Sequence, residues 1–594
     1  MKTYLQSRKL TQRCAYACCS LILVLTVYRI VIVDRTRPQG FDEPAHIAAG
    51  MEWLQFHSYR LDPLHPPIAR VAAAAPLYLS GMRFRETDSR SLPQFWDAGN
   101  SILYRGSYLA NLELARFGML PFLAAVLLAA FAWTKQHFDV LAAVGSVILL
   151  GTLPVVLAFS SLAYTDLPAA CLQFVCILMF AQWLEKPGWR RSIAVGTLFG
   201  LAVLTKFTSL LYIPVTALAI LLCRLALKRN SEHSRPNLKS FFRVAAIPVI
   251  ALVIIWAGYR FSIGPINEAL NISQEQMPSF PHFPGPARAL ARQAIAGNWR
   301  IPAPSFVAGL AQAWVLNKTA PDAYLFGMLK PGGWWYFFAV ETVFKTPLPF
   351  LMLVMVGCIP AYRAIQGRDW RVLVPTASAL SITGLTMLAS VNYGLRHVLV
   401  IFLLLAIIGG VGAQQLWNFK WSPSFGKAAL IFLVGWQCIV ALRPGADWIG
   451  YFNALAGKDP SRILVTGCDL DCGQDVLNLS KELRRLKVSH IKLALWTTAD
   501  LQHMDLPEFD IPEPFCPQSG WFAISVRTLR EGSLQHKGYP PAAFSWLNQY
   551  SPVSRIGNTI LLYYIPSVHQ PVSAGNSALP TKLKKGTHQV TLQF

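Results

Sequence analysis

Two acidic motifs are the first candidates for chemistry in this sequence. Asp42 and Glu43 are adjacent in the run FDEPAH, and Asp166 stands in the run YTDLP. Carboxylates are costly to bury without a partner, so such groups are either solvated or have a proton or a cation to handle. The simpler alternative is helix capping, because each aspartate precedes a helix-like stretch and Pro44 suits a first helical turn.

Three basic groups end or begin separate apolar runs. Lys206 lies in LTKF, Lys345 in FKTP, and Arg396, followed by His397, in NYGLRH. Taken singly, each could be a side chain that extends to the membrane interface. Taken together on one side of a membrane, they would suit an anionic phosphate at its surface.

The composition indicates that most of the chain lies in a membrane. Of the 594 residues, 54% are hydrophobic and 14% charged, whereas about a quarter of a soluble domain is charged. The net charge of +23 raises the question of nucleic acid. Many of the basic residues, however, lie in short loops between apolar runs rather than on one soluble face. We therefore expect an integral, multi-pass membrane protein with membrane lipid around it and no nucleic-acid partner.

Apolar runs that could span a bilayer recur along the first three quarters of the chain. The run at 192–206 is short for a span. These candidate transmembrane helices centre on residues 15–33, 110–132, 140–160, 166–184, 192–206, 208–227, 243–261, 344–362, 372–390, 397–416 and 428–443.

Basic residues fall in alternate loops, which predicts the orientation. The loops with Lys186, Lys228, Arg363 and Lys420 would be cytoplasmic, together with the N-terminus. The outer loops 34–109 and 262–343, and everything after 443, would then lie outside the cytoplasm with the acidic and basic candidates. The 262–343 segment is rich in Pro and Trp, which predicts short interfacial helices joined by turns.

The character of the sequence changes after residue 443. Arg462–Thr466 and His490–Trp496 predict strands on either side of an amphipathic helix at Gln474–Arg485, and Trp521–Val526 and Thr559–Ile565 predict later strands. We expect a mainly α, polytopic membrane domain of about 11 transmembrane helices at 1–443. A small extracytoplasmic α/β domain at 444–566 and a disordered polar tail at 567–594 would follow it.

The order of the motifs resembles a known family. The runs FDEPAHIAAG, HPP at His65, YTDLP, GLAVLTKFTSLL, FKTPLPFL and YGLRH are similar to the protein O-mannosyltransferase-like family of GT-C glycosyltransferases, which includes the lipid A aminoarabinose transferases. The resemblance covers residues 35–440. It implies an enzyme that passes a sugar from a polyprenyl-monophosphate carrier to an acceptor hydroxyl, of a protein, lipid or glycan, on the extracytoplasmic face. A bacterial inner membrane would be its location.

The resemblance also implies roles for the candidate residues. Asp42 would be the base, and Glu43 and Asp166 would support it. Lys206, Lys345 and Arg396, with His397 beside them, would hold the carrier phosphate, and His46 and His65 are candidates for supporting roles. Displacement assisted by a single base predicts inversion at the sugar carbon. No cofactor is implied with certainty, although a divalent metal could be held by Asp42, Glu43, His46 and Asp166.

The C-terminal region has a counterpart in some bacterial members. The runs GYFNALAG and CDLDCGQD are similar to an outer domain usually written with Ser and Trp where this chain has Cys468 and Cys472. The two cysteines could form a short-range disulfide in an oxidising compartment, or be unrelated small residues in a loop. The nearby Asp469, Asp471 and Asp475 could bind a cation or sugar hydroxyls, or merely cap the loop.

Two other functions remain open at this point. A transporter or flippase of a lipid-linked precursor would need charged residues along a path through the helices, whereas here they cluster on one side. A sensor or assembly subunit would work through its outer domain. Such a subunit would lose all function on truncation after about residue 445, while an enzyme would keep part of its chemistry.

Overall fold

The structure is a computed structural model that describes residues 2–84, 95–227, 238–266, 289, 292–294, 296–320, 322–442, 447–534 and 537–566. The predicted tail at 567–594 and much of the Pro-rich part of the 262–343 segment lie outside these residues. The helices described up to residue 442 are α1 (Lys2–Asp34), α2 (Glu43–Phe56), α3 (Pro67–Leu79), α4 (Phe95–Leu103), α5 (Tyr108–Phe117), α6 (Leu120–His137), α7 (Val140–Thr152), α8 (Pro154–Ser160), α9 (Asp166–Glu185), α10 (Trp189–Val203), α11 (Ser209–Ala226), α12 (Leu238–Gly258), α13 (Pro304–Lys318), α14 (Phe337–Lys345), α15 (Leu348–Gly367), α16 (Val374–Thr386), α17 (Leu399–Trp417) and α18 (Pro423–Leu442).

The polytopic helical fold is confirmed, but with fewer full spans than the eleven predicted. Within the described ranges, eight helical stretches are long and apolar enough to cross a membrane, or nine if the bent pair α7 and α8 is one span. That pair bends by 61° because Pro154 cannot continue the helical hydrogen bonds and Leu153 before it is extended. The predicted runs at 192–206 and 372–390 are helical, but α10 and α16 have only 15 and 13 residues.

Helix α17 lies at the centre of the bundle and is largely buried along its length. It packs against α7, α15 and α16. Close approach depends on glycines, because a Cβ on Gly412 would lie 2.0 Å from the carbonyl oxygen of Leu353 and one on Gly410 only 2.2 Å from Ser146 Oγ. A single 3-10 turn, Leu395–Val398, precedes α17 and carries Arg396 and His397 at the end of the bundle.

The segment before α14 contains more than the interfacial helices predicted for it. Helices α13 and α14 are present, but the described part also includes a two-stranded sheet of β1 (Ile263–Pro265) and β2 (Arg300–Pro302). A hairpin of β3 (Ala323–Leu325) and β4 (Met328–Lys330) follows α13. This hairpin packs against the C-terminal region.

The C-terminal region forms the expected α/β domain. Its five-stranded sheet has the order β10-β11-β7-β5-β6, with β5 parallel to β6 and β7 and the other pairs antiparallel. Helix α19 (Val476–Arg485) confirms the predicted amphipathic helix. The remaining elements are β5 (His490–Ala494), β6 (Glu508–Asp510), β7 (Gly520–Ser525), α20 (Val526–Glu531), β8 (Ser533–Leu534), β9 (Lys537–Gly538), β10 (Ser554–Ile556) and β11 (Ile560–Ile565).

The strand predicted at Arg462–Thr466 is wrong. This segment is irregular and contacts the β3–β4 hairpin instead of the sheet. The N–H of Phe326 donates to the Ile463 carbonyl (2.9 Å), and the N–H of Tyr324 donates to Thr466 Oγ1 (2.7 Å). Its apolar residues Leu464 and Val465 are buried. An apolar run that is buried by an adjacent hairpin has the same sequence pattern as a strand.

Candidate active site

Asp42 forms an ion pair with Arg396 rather than a helix cap. Asp42 directly precedes α2, yet its side chain makes no capping hydrogen bond. Instead Arg396 donates to Asp42 Oδ2 at 2.6 Å. The two side chains are 354 positions apart in sequence and remain 26% and 16% exposed. The pair is therefore partly accessible from the surface. Asp42 does not cap α2, so the capping alternative is wrong for this residue.

Asp166 and Lys206 form a second ion pair next to the first. Asp166 is the first residue of α9 and makes no cap. Lys206, in the turn between α10 and α11, donates to Asp166 Oδ1 at 2.6 Å. Burial lowers the pKa of Lys206, and the charge of Asp166 opposes that effect, with Arg396 and Asp42 also close enough to act on it. The two pairs thus form one cluster, and the ring of His397 lies beside Lys206 and Arg396 in it.

The carboxylate of Glu43, the neighbour of Asp42, holds the loop before α2 in place. Its carboxylate pairs with Arg116 at 2.7 and 2.8 Å and accepts the backbone N–H groups of Gly40 and Ala163, both at 2.7 Å. The side chain is completely buried. Glu43 therefore joins the Asp42 loop to the start of α9 as a positioning residue, and the geometry does not direct it at a substrate.

A buried arginine organises the two candidate histidines. Arg70, within α3, donates to His46 Nδ1 and Tyr59 Oη, both at 3.2 Å, lies 3.2 Å from His65 Nδ1, and pairs with Asp62. Burial, followed by the charge of Arg70, lowers the pKa of His46 well below its ordinary value, and the same causes lower that of His65 to about 4. Both imidazoles are thus neutral near pH 7.

The structure therefore adds Arg70 and Arg116 to the site, which motif reasoning had missed. Each stands inside an otherwise apolar helical run, Arg70 in IARVAAAA and Arg116 in LARFGMLPF. An ionisable residue in an apolar run is rarely placed there without a partner. That signal could have identified both residues from the sequence.

Tyr164 connects the Asp42 loop to a disulfide in the C-terminal region. Of the two alternatives left open for Cys468 and Cys472, the structure has the disulfide. The Tyr164 hydroxyl accepts the backbone N–H of Asp42 at 2.9 Å and lies 3.1 Å and 3.5 Å from the sulfurs of Cys472 and Cys468. The guanidinium of Arg396 lies 5.7 Å from the centre of the same tyrosine ring. The disulfide thus packs directly behind the ion pair.

The C-terminal domain also contacts the Asp42 loop from the other side. Trp496 stacks on Phe41 with ring centres 4.5 Å apart, and Arg527 lies 4.1 Å above the Trp496 ring. Thr498 Oγ1 donates to the Phe41 carbonyl at 2.7 Å. These contacts change the expectation for a chain truncated after residue 445, because such a chain would lose the support of its acidic loop.

Lys345 does not join the other two cations. Its ammonium donates to the carbonyl oxygens of Ile449 (2.8 Å) and Asp469. Burial, then the adjacent Asp469 carboxylate, raises the pKa of Glu341 well above its ordinary value. Asp469 Oδ1 accepts the N–H of Leu395 at 3.2 Å, so this buried group lies behind the turn that carries Arg396. The geometry separates Lys345 from the expected phosphate-binding set.

Gly394 allows that turn to form. Its φ is +95°, and a Cβ there would lie 2.2 Å from Asp469 Oδ2. The other two candidate aspartates also have internal partners. Asp471 Oδ1 accepts the N–H of Gly473 at 3.1 Å, and Asp475 Oδ2 accepts the hydroxyl of Thr559 at 2.8 Å. Asp469, Asp471 and Asp475 therefore stabilise the loop, in agreement with the alternative that they cap it.

The acids and histidines named as metal candidates are already partnered. Among the described residues, no three or more His, Cys, Asp and Glu side chains are grouped so that they could hold a metal ion. The four candidates face cations instead: Asp42 with Arg396, Glu43 with Arg116, Asp166 with Lys206, and His46 with Arg70. This arrangement suits an anionic ligand that competes for the cations better than it suits a metal.

Two solved structures align with this chain at low sequence identity. No curated protein matches the chain. The crystal structure of ArnT from Cupriavidus metallidurans bound to undecaprenyl phosphate aligns with a TM-score of 0.44 and 11% identity over 91% of this chain and 97% of that one. The Archaeoglobus fulgidus oligosaccharyltransferase in the apo form aligns with a TM-score of 0.44 and 12% identity over 86% of this chain and 70% of that one.

A family model matches part of this chain. Residues 111–256 match the model described as dolichyl-phosphate-mannose-protein mannosyltransferase. The matched segment includes both members of the Asp166–Lys206 pair. Over this segment, the chain is similar to dolichyl-phosphate-mannose-protein mannosyltransferases.

Proposed function

We propose that this protein is a glycosyltransferase that moves a sugar from a polyprenyl-monophosphate carrier to an acceptor hydroxyl, with Asp42 as the general base. The observation that carries the proposal is the convergence of two ion pairs, Asp42–Arg396 and Asp166–Lys206, at one accessible end of the helical bundle. The description of the matched family, which names a dolichyl-phosphate-linked sugar, supports the choice of donor.

Arg396 and Lys206 would bind the carrier phosphate by sharing charge with their carboxylates. A guanidinium has five N–H donors, so Arg396 can keep its contact with Asp42 and still donate to a phosphate oxygen. Lys206 has three donors and uses one on Asp166. Because negative charge on the phosphate increases as the sugar leaves, contacts from both cations would strengthen in the transition state.

Asp42 retains an oxygen for the acceptor. Its Oδ2 accepts from Arg396, while Oδ1 accepts no hydrogen bond within the described part of the chain. In the proposed step, the acceptor oxygen bonds to the anomeric carbon as the bond from that carbon to the phosphate oxygen breaks. The acceptor proton passes to Asp42, and the carrier leaves as free polyprenyl phosphate. A single displacement of this kind inverts the anomeric centre.

The surrounding residues would hold this geometry without competing for the proton. His46 and His65 are neutral near pH 7 for the reasons given above, so they add no positive charge beside the phosphate. Glu43 and Arg116 fix the loop, and Tyr164 holds the Asp42 backbone. Lys345 would act as a positioning residue for the Arg396 turn and would not touch the donor.

The distribution of basic loops supports an extracytoplasmic location for this site, in the bacterial inner membrane. Acceptors of three kinds, protein, lipid and glycan, are compatible with the chemistry. A hydroxyl on any of them needs only a base and a position opposite the leaving phosphate.

The proposal is tested by turnover of a defined donor. Purified protein would be given dolichyl-phosphate-mannose and other polyprenyl-phosphate sugars, together with a pool of extracytoplasmic acceptors. Release of free polyprenyl phosphate, and an inverted linkage by NMR of the product, are expected. Movement of intact donor across a vesicle membrane without release of polyprenyl phosphate would instead identify a flippase.

A further inference from the structure

The C-terminal domain contains a groove that is separate from the ion-pair cluster. It consists of two adjoining cavities of about 390 Å³ and 300 Å³ that share Arg462, Leu529, Arg530 and Asn548. The β3–β4 hairpin forms one wall, and helix α20 and strand β11 form another. Its combined volume is in the range of small-ligand sites. We refer to it as the arginine groove.

The arginine groove has an excess of positive charge. One carboxylate, Asp459, lies 3.2 Å from Arg530, 3.4 Å from Arg462 and 3.9 Å from Arg555. Asp459 also accepts the hydroxyl of Ser461 at 2.6 Å. A single carboxylate cannot engage the donors of three guanidinium groups, and the buried Nε of Arg530 donates to no acceptor within the described ranges. The groove therefore has unused donors for an anion.

Aromatic rings and short polar side chains complete the lining. Phe326 stands at the tip of the β3–β4 hairpin with a φ of +50° and remains 49% exposed. Tyr324, on the same hairpin, also lines the cavity, and Ser545 and Asn548 line it from the opposite side. Flat apolar faces beside hydrogen-bonding groups match a sugar ring, which has apolar faces and hydroxyl edges.

We propose that the arginine groove binds an anionic saccharide, in which the carboxylate or phosphate pairs with Arg462 and Arg530 and the ring stacks on Phe326. Arginine provides paired donors for both kinds of anion. An acidic peptide would use the arginines but would leave the aromatic and short polar lining without a defined role. The chemistry of the lining therefore favours a saccharide.

The position of α20 gives the groove a role in the transfer reaction. Arg530 and Leu529 face the groove from this helix, while Arg527, on the same helix, contacts Trp496, which stacks on Phe41 next to Asp42. If the proposed function holds, the groove binds the glycan part of the acceptor. This second statement rests on that function, but binding by the groove does not.

The test measures binding by the full-length protein without donor. Isothermal titration would compare trigalacturonate, an acidic trisaccharide, with neutral maltotriose and with a short oligoglutamate peptide. Trigalacturonate is expected to bind at least about tenfold more tightly than either. Arg462→Gln is a suitable variant because Arg462 is 79% exposed, so its replacement leaves folding intact. It should weaken binding at least about tenfold, and Phe326→Ala should weaken it severalfold.

Arg485→Gln provides the matched control. Arg485 is an exposed arginine on α19 that pairs with Glu482 outside the groove, and its variant should bind trigalacturonate as the wild type does. Equal affinity for the acidic and neutral sugars, no binding of trigalacturonate, tighter binding of oligoglutamate, or unchanged binding by Arg462→Gln would each overturn the proposal. If the wild-type protein binds trigalacturonate but transfers no sugar from a polyprenyl-phosphate donor, the result would count against the proposed function alone.

Discussion

Two lysines that look alike in the sequence have opposite surroundings in the structure. Lys206 and Lys345 both stand at the boundary of an apolar run, and both are buried. Lys206 faces the carboxylate of Asp166 next to the partly exposed Asp42–Arg396 pair. Lys345 is enclosed by backbone carbonyls and the Glu341–Asp469 acids behind the Arg396 turn. A buried cation is therefore evidence of a binding role only when a ligand can reach it.

The adjacent acids Asp42 and Glu43 also differ in their partners and exposure. Asp42 has one cation partner and an oxygen that accepts no hydrogen bond in the described chain, whereas Glu43 has four donors and no exposed surface. We expect the first to contribute to rate and the second to structure. The variants below test this division, beginning with the largest effect.

Asp42→Asn should lower turnover by at least about a hundredfold. Asparagine is nearly isosteric and keeps an oxygen for Arg396, but it cannot accept the acceptor proton, and general-base catalysis contributes roughly 10²- to 10⁴-fold. The measurement is release of free polyprenyl phosphate under saturating donor. Asp97→Asn, an exposed change at the start of α4, is the control and should retain full activity. Near-native rates for Asp42→Asn would assign Asp42 a structural role only.

Thr498→Val should lower turnover about fivefold. The change keeps side-chain shape but removes the hydroxyl that bonds the Phe41 carbonyl, and one such bond is worth about 1 kcal/mol. Looser positioning of Asp42 should reduce kcat with little change in donor KM. Thr319→Val removes a similar hydroxyl contact at the exposed residue that follows α13 and should have no effect. Equal activity of both variants would mean that the C-terminal domain does not position the loop.

Asp471→Asn should change how thermal stability depends on pH. Burial raises the pKa of Asp471 to about 7, above that of the unfolded chain. The folded protein therefore retains this proton where the unfolded chain has lost it, and stability falls as pH rises from about 4 to 7. The wild-type Tm should consequently fall by a few degrees relative to the variant over this interval. A constant Tm difference between the two would show that folding does not shift the pKa of Asp471.

Local patterns predicted the elements of this fold better than the partners of its polar groups. The apolar runs and the strands of residues 490–565 were recognisable because their periodicity is local. The ion pairs join residues as far apart as Asp42 and Arg396, and no local pattern distinguishes a lysine that pairs with a carboxylate from one that bonds to backbone carbonyls. The prediction that Asp42, Asp166, Lys206 and Arg396 share one end of the bundle is compatible with the two ion pairs that they form. Lys345 lies apart from them, because its neighbour Asp469 comes from the C-terminal domain.

The role of Glu43 could not be predicted either. Two adjacent acids in FDEPAH have the same chemistry in the sequence, and only the packing of Arg116 from α5 separates them. The resemblance to a family predicted that Asp42 is the base and that Glu43 supports it. The contacts of the two side chains give the physical reason. Arg70, in contrast, was recognisable as a charge within an apolar helix.

The most direct test of the account compares donor kinetics of the two lysine variants. Lys206→Met removes a charge-assisted contact of roughly 1.5 to 3 kcal/mol, so donor KM should rise at least about tenfold, with a fall in kcat if the contact strengthens as the phosphate leaves. Both variants should lower Tm, because Lys206→Met breaks the buried pair with Asp166 and Lys345→Met leaves the buried carbonyls of Ile449 and Asp469 without their donor. The folded fraction of Lys345→Met, in contrast, should keep the wild-type donor KM. An unchanged donor KM for Lys206→Met together with a raised one for Lys345→Met would contradict the account.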